Sequence, residues 1–168
     1  MKKILLLFVC LFVCWVLSAQ QRIKVACVGN SITYGTGLSD RATQSYPVKL
    51  QKLLGERYEV ENFGKPGATL LNQGHRPYTR QDIVVIHLGI NDTDPRNWPN
   101  YRDFFVKDYL KLIDTFREAN PAVRIIIARM TPIADRHIRF LSGTRDWHGE
   151  IQTAIETVAR YAGIQLID

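Results

Sequence analysis

The chain is short of the residues and patterns that would commit it to several large classes of protein. It has three cysteines in 168 residues, and two of them, Cys10 and Cys14, lie in the first fifteen positions. If that segment is removed, only Cys27 remains, which excludes an internal disulfide framework and a cysteine-rich metal site. Cys27 sits inside an apolar strand pattern and reads as a small buried hydrophobe. No apolar run approaches the roughly 20 residues of a membrane-spanning helix. The formal charge is +6, but the basic residues are scattered, with no stripe of like sign. That excludes a nucleic-acid footprint and describes a solvated surface. Internal repeats, low-complexity stretches and linkers are also missing.

The longest apolar run is at the N-terminus. Lys2 and Lys3 precede the unbroken segment Ile4 to Leu17, and Ser18-Ala19 stands before Gln20. A basic start, a short apolar middle and small residues at the end are the layout of a secretory signal peptide. Val9 and Val13 stand before Cys10 and Cys14, where lipid attachment needs a small residue. The expected organisation is a signal peptide over residues 1–19 and one domain over residues 20–168, secreted or periplasmic, with no membrane association after cleavage.

Within that domain, short β-rich runs alternate with longer helical ones. Strands are expected at Ile23 to Val28, Tyr58 to Phe63, Ile83 to Leu88, Ile125 to Met130 and Ile164 to Ile167. Ser45-Tyr46-Pro47 reads as a helix start, with the helix running to Leu54 and stopping at Gly55. Phe105, Tyr109, Leu112, Ile113 and Phe116 recur at helical spacing on a helix from about Tyr101 to Ala119. Trp147, Ile151, Ile155 and Val158 do the same on a helix from about Arg145 to Ala162. Strands that alternate with helices make a parallel sheet. Their continuous apolar character fits a sheet covered on both faces. The expected fold is a flavodoxin-like three-layer α/β/α sandwich with a five-stranded parallel sheet. Functional loops in such sheets lie at the C-terminal strand ends.

Three polar signals stand at three successive strand ends: Gly29-Asn30-Ser31-Ile32-Thr33, then Gly64-Lys65-Pro66-Gly67-Ala68-Thr69, then Gly89-Ile90-Asn91-Asp92. Taken singly, each is an ordinary turn or cap signal. With the strand order 2-1-3 they become neighbours, and together they suit acyl transfer. A hydroxyl nucleophile needs a tight, exposed turn. The tetrahedral intermediate needs donors already aimed at its oxyanion. Ser31 supplies the first; the N–H groups of Ser31 and Gly67 and the Asn91 amide can supply the second.

These blocks and their order resemble the SGNH hydrolases, also called GDSL esterases, from Ile23 through Asp168. Asn91-Asp92-Thr93-Asp94-Pro95-Arg96-Asn97-Trp98 and Gly74-His75-Arg76-Pro77-Tyr78 look most like bacterial sialate O-acetylesterases. The resemblance implies a serine esterase without metal or organic cofactor, acting through an acyl-enzyme on Ser31, with Ser31, Gly67 and Asn91 forming the oxyanion hole. Its substrate would be a small-molecule or glycan ester such as O-acetylated sialic acid. A lysophospholipase or thioesterase of the same fold, or an inactive fragment, are the alternatives.

The sequence departs from that family in three ways. Asn30 stands where an aspartate is usual. The crossover from Ala68 to Asp82 is short, so one sheet face is expected to be poorly covered. The family's Asp-x-x-His motif, which carries the general base, follows the fifth strand, and the chain stops at Asp168. A serine without a base is a poor nucleophile at neutral pH. Of the four histidines, His87 reads as a core residue, His75 and His137 as residues near the functional edge, and His148 as a neighbour of Trp147. Asp135-x-His137 and Asp146-x-His148 each fall one residue short of the family spacing.

Overall fold

The structure is a computed structural model, and it describes residues 21–71, 80–133 and 144–168. The signal-peptide segment, the Gly74 to Tyr78 block and Asp135 to His137 lie outside the described residues. Five parallel strands form one sheet: β1 (Ile23–Gly29), β2 (Tyr58–Gly64), β3 (Ile83–His87), β4 (Arg124–Ala128) and β5 (Gln165–Ile167), in the order β2-β1-β3-β4-β5. Every neighbouring pair is parallel, with Gly29 opposite both Gly64 and His87. This register brings the C-terminal ends of β1, β2 and β3 side by side, as the 2-1-3 order requires.

Five helices connect and cover the strands: α1 (Ser31–Tyr34), α2 (Arg41–Gln44), α3 (Tyr46–Leu54), α4 (Trp98–Ala119) and α5 (Thr144–Ala162). α3 begins after Ser45 with Pro47 in its first turn and stops at Gly55, whose φ of +75° suits glycine. α4 starts a turn earlier than the sequence periodicity suggests. Asn97 is its N-cap and Pro99 falls in the first turn, where a missing N–H costs nothing. Its apolar stripe is placed as expected: Phe105, Tyr109, Leu112, Ile113 and Phe116 are all buried. They meet Ile151, Ile155 and Val158 of α5 and Val84, Ile86 and Ile127 of the sheet in one continuous core.

That core also takes in Ala68 and Leu70, so the described start of the short β2–β3 crossover packs on the same face as α4 and α5. The sparse cover is on the opposite face and has a different cause. There α3 and α1 serve β1, where Val25 and Cys27 are buried. Farther along the same face, Ile83, Val85, Ile126 and Ala128 are only partly buried, and Ile167 is exposed. The crossover length therefore does not decide which face is left open; the placement of α3 over β1 and β2 does. Cys27 is fully buried, and burial pushes its thiol up to about 11. It is a packing residue, as the strand pattern indicates.

Candidate functional site

Ser31 is the first residue of α1, a single turn seated directly on the ends of β1 and β2. Asn30 caps it: the Asn30 carboxamide oxygen accepts from Ile32 N–H at 2.9 Å. This explains why asparagine serves where an aspartate is usual, since the cap needs an acceptor oxygen and not a charge. The turn closes on Gly35 in the left-handed conformation, whose N–H donates to Ser31 O and Ile32 O.

Two glycines let α1 sit this close. A Cβ on Gly29 would collide with the Thr33 hydroxyl and lie 2.7 Å from His87 O. A Cβ on Gly64 would lie 2.6 Å from Thr33 C and closer still to Tyr34 N. Asn62 completes the seat. Its Nδ2 donates to Thr33 O at 2.9 Å, and its Oδ1 accepts from Gly64 N–H at 2.9 Å. Thr33 is buried, and its hydroxyl lies 3.3 Å from the Tyr46 hydroxyl on α3. Reading the motif blocks alone misses Asn62 and the steric role of Gly64. The only trace in the sequence is that both fall at the end of a strand that packs on the serine turn.

The second loop is tied to its neighbours at both ends. Lys65 N–H donates to Gly29 O at 2.9 Å, and Ala68 N–H to Lys65 O at 3.0 Å. Gly67 between them has φ +79°, and nothing lies within 4 Å of where its Cβ would be. Glycine is needed here for conformation and not for space. The third loop is a 3₁₀ turn, Ile90–Thr93, fully buried. Asn91 Nδ2 donates to Ala68 O at 2.8 Å, using one amide hydrogen and leaving the other free to face the cluster. Asp92 Oδ1 accepts from Leu70 N–H at 3.1 Å. Two rungs, 91 to 68 and 92 to 70, therefore fasten the Gly67 loop to the end of β3.

Asp92 is a surprise. Asp92-Thr93-Asp94 looks like a polar surface loop, yet Asp92 and Thr93 are buried, and Asp94 is held by bidentate contacts with Arg96. Burial pushes the Asp92 carboxyl up to about 7, against the hydrogen bonds from Leu70 and its own backbone N–H. Its Oδ2 has no hydrogen-bond partner among the described residues. The Tyr109 hydroxyl behind it is also buried and unpartnered there, and is raised first by burial and then by the Asp92 charge.

The histidines divide as follows. His87 is buried on β3, as expected of a core residue; burial lowers its pKa, offset in part by a hydrogen bond with the Arg129 backbone. His148 Nε2 is 3.2 Å from Thr131 O, after β4. His75 and His137 lie outside the described residues. Among the described residues, the Ser31 hydroxyl has no hydrogen-bond partner, and no group of three His, Cys, Asp or Glu side chains could hold a metal ion.

The sequence matches the model of the GDSL-like lipase/acylhydrolase family over residues 27–168. The chain belongs to that family. It is 42% identical to an acetylxylan esterase of Xylanibacter ruminicola, over 61% of this chain and 24% of that protein. It thus spans about a quarter of the length of that curated relative. Among solved structures, it resembles Est24, a carbohydrate acetylesterase from Sinorhizobium meliloti, with a TM-score of 0.70 at 18% identity, covering 87% of this chain and 83% of that one. The aryl esterase of M. smegmatis superposes with a TM-score of 0.68 at 17% identity over 87% of this chain and 83% of that one. At these identities the structural likeness establishes the fold, a parallel-sheet SGNH hydrolase.

Proposed function

We propose that this GDSL-family protein is an exported serine esterase that removes O-acetyl groups from carbohydrates. The observation that carries the proposal is the fastening of three loops at one sheet edge: Ser31 on a capped turn, Gly67 in a left-handed bend, and Asn91 with one amide hydrogen to spare. In this reading the Ser31 oxygen attacks the acetyl carbonyl carbon. The N–H groups of Ser31 and Gly67 and the Asn91 amide receive the oxyanion. Collapse of the intermediate expels the sugar alcohol and leaves an acetyl-enzyme, which water hydrolyses to acetate. Asn91 is well suited because its other hydrogen bond, to Ala68 O, fixes its rotamer before substrate arrives. Export is carried by the basic, apolar and small-residue pattern of residues 1–19.

Among acetylated sugars, the surroundings favour a neutral one. Asp92 and Asp108 line the cleft beside Asn91, and Arg96 at its rim is already engaged by Asp94. A sialic acid would bring its own carboxylate towards these acids. The acetylxylan esterase relationship supports the same choice. O-acetylated sialic acid is the second reading, favoured by the Asn91 to Trp98 block. The test is acetate release by the full-length gene product from acetylated xylan and from O-acetylated sialic acid, with Ser31→Ala alongside. Release from xylan that is lost in the variant is expected. Release unaffected by Ser31→Ala, or activity confined to long acyl esters, would overturn the proposal.

A further inference from the structure

A cleft opens between the Gly67 loop and the first turns of α4. Leu70, Leu71 and Asp92 form one side, and Trp98, Tyr101 and Phe105 the other. Its space is about 240 Å³ including the open mouth, below the roughly 300–1,000 Å³ of a site for a drug-sized ligand. The closed part at the bottom is about 10 Å³, which is room for one water-sized group. The walls are arranged by depth. Trp98 and Phe105 are buried and locked edge to face at 5.4 Å, and Trp98 Nε1 is anchored on Glu150 Oε2 at 2.8 Å. Leu71 and Tyr101 at the mouth are 47% and 44% exposed.

The floor carries an unused acceptor. Asp92 is 5% exposed, its Oδ1 is spent on Leu70 N–H, and its Oδ2 has no partner among the described residues. A buried carboxylate oxygen without a partner costs free energy and is ordinarily met by a water or a ligand donor. An apolar ledge with one aromatic ring, a hydroxyl-sized recess and an acceptor inside it suit a sugar ring. The ring's C–H face covers Leu71 and Tyr101, and one hydroxyl fills the recess. A second carboxylate, Asp108, also lines the cleft and disfavours an anionic occupant.

We propose that this cleft is a subsite for a neutral sugar residue, one hydroxyl of which donates to Asp92 Oδ2. It rests on the reading of the protein as a carbohydrate esterase and adds where the sugar chain lies. The cleft shares the Gly67 loop with the reacting centre through the 91-to-68 and 92-to-70 hydrogen bonds. A sugar held there occupies a position next to the acetylated residue and presses on the loop that carries the oxyanion donors.

The test is binding of unacetylated xylotriose to the full-length gene product carrying Ser31→Ala, followed by backbone amide shifts. Saturable binding with shifts at Leu70, Leu71 and Asp92 is expected. Tyr101→Ala should weaken it about tenfold, the effect of losing roughly one aromatic contact. Asp92→Leu, which removes the acceptor and fills the recess, should abolish it. Because Asp92→Leu also removes the partner of Leu70 N–H, the exposed Tyr101→Ala variant keeps the proposal testable if the first fails to fold. Binding untouched by Tyr101→Ala, preference for sialyllactose over xylotriose, or a structural water alone at Asp92 Oδ2 would overturn it. Failure of the esterase reading shows separately, as acetate release that Ser31→Ala does not abolish.

Discussion

Replacing Gly64 by alanine should disable the site while leaving the sheet intact. The added Cβ would lie 2.6 Å from Thr33 C and from Tyr34 Cα, with Tyr34 N nearer still. Comfortable contacts between such atoms are about 3.5–4.0 Å, so α1 must retreat by about 1 Å. None of the obstructing atoms is a flexible side-chain end that could step aside; all are backbone of the turn that begins at Ser31. Misplacing a reacting group by about 1 Å can cost on the order of a hundredfold in rate. Overpacking of this kind costs about 1–3 kcal/mol in stability, or a Tm lower by roughly 2–12 °C for a domain of this size. The assay is hydrolysis of p-nitrophenyl acetate with a thermal melt of the same sample. Gly55→Ala is the control: its φ is also positive, but nothing lies within 4 Å of the new Cβ. It should lose about 1–2 kcal/mol from left-handed strain and keep its kcat. If Gly64→Ala keeps wild-type kcat, or if Gly55→Ala loses as much, the seating of α1 on β2 is not what positions Ser31.

Asn91→Ala should lower kcat about a hundredfold to a thousandfold with little change in KM, as expected for a donor used in the transition state; a purely KM effect would remove Asn91 from the oxyanion site. Asp92 sits near pKa 7 in the folded chain against 3.8 as the ordinary value. The folded state therefore prefers the protonated carboxyl, and stability is full below about pH 4 and lost as pH rises towards 7. At 1.36 kcal/mol per unit the loss is on the order of 4 kcal/mol. Asp92→Asn should flatten that slope in urea melts from pH 4 to 8, and an unchanged slope would place it elsewhere. The partly covered row Ile83, Val85, Ile126 and Ile167 should make the 168-residue chain bind a hydrophobic dye such as ANS. Threonine at Val85 and Ile126 should reduce that signal, and absence of dye binding in the parent chain would show the row to be covered.

The parts of the fold legible in the sequence were those written as periodicity. The five strands fall within a residue or two of their apolar runs, and the stripe from Phe105 to Phe116 is the buried stripe of α4. The three motif blocks stand where their order along the chain suggests, and their loops are hydrogen-bonded to one another. What periodicity does not encode was missed. Asp92 reads as a loop acid because burial of a carboxylate depends on distant partners, here Leu70 N–H from another loop. Asn62 and Gly64 read as the tail of a strand because their purpose lies in a helix 30 residues earlier. The N-terminus of α4 was placed late because Pro95 and Pro99 look like breakers, while Pro99 is in the one turn that tolerates it.

β2 lies at the rim of the sheet, paired only with β1. The turn bearing Ser31 is bolted to that outermost strand through Asn62 and Gly64, while the heavy core lies on the far side under α4 and α5. Rim strands open at lower free energy than central ones. Warming should therefore silence the esterase well before the molecule melts, reversibly, as β2 peels and reseats. Activity becomes a thermometer for the edge of the sheet, and a clamp between β2 and α3 would raise the working temperature without altering a single reacting group.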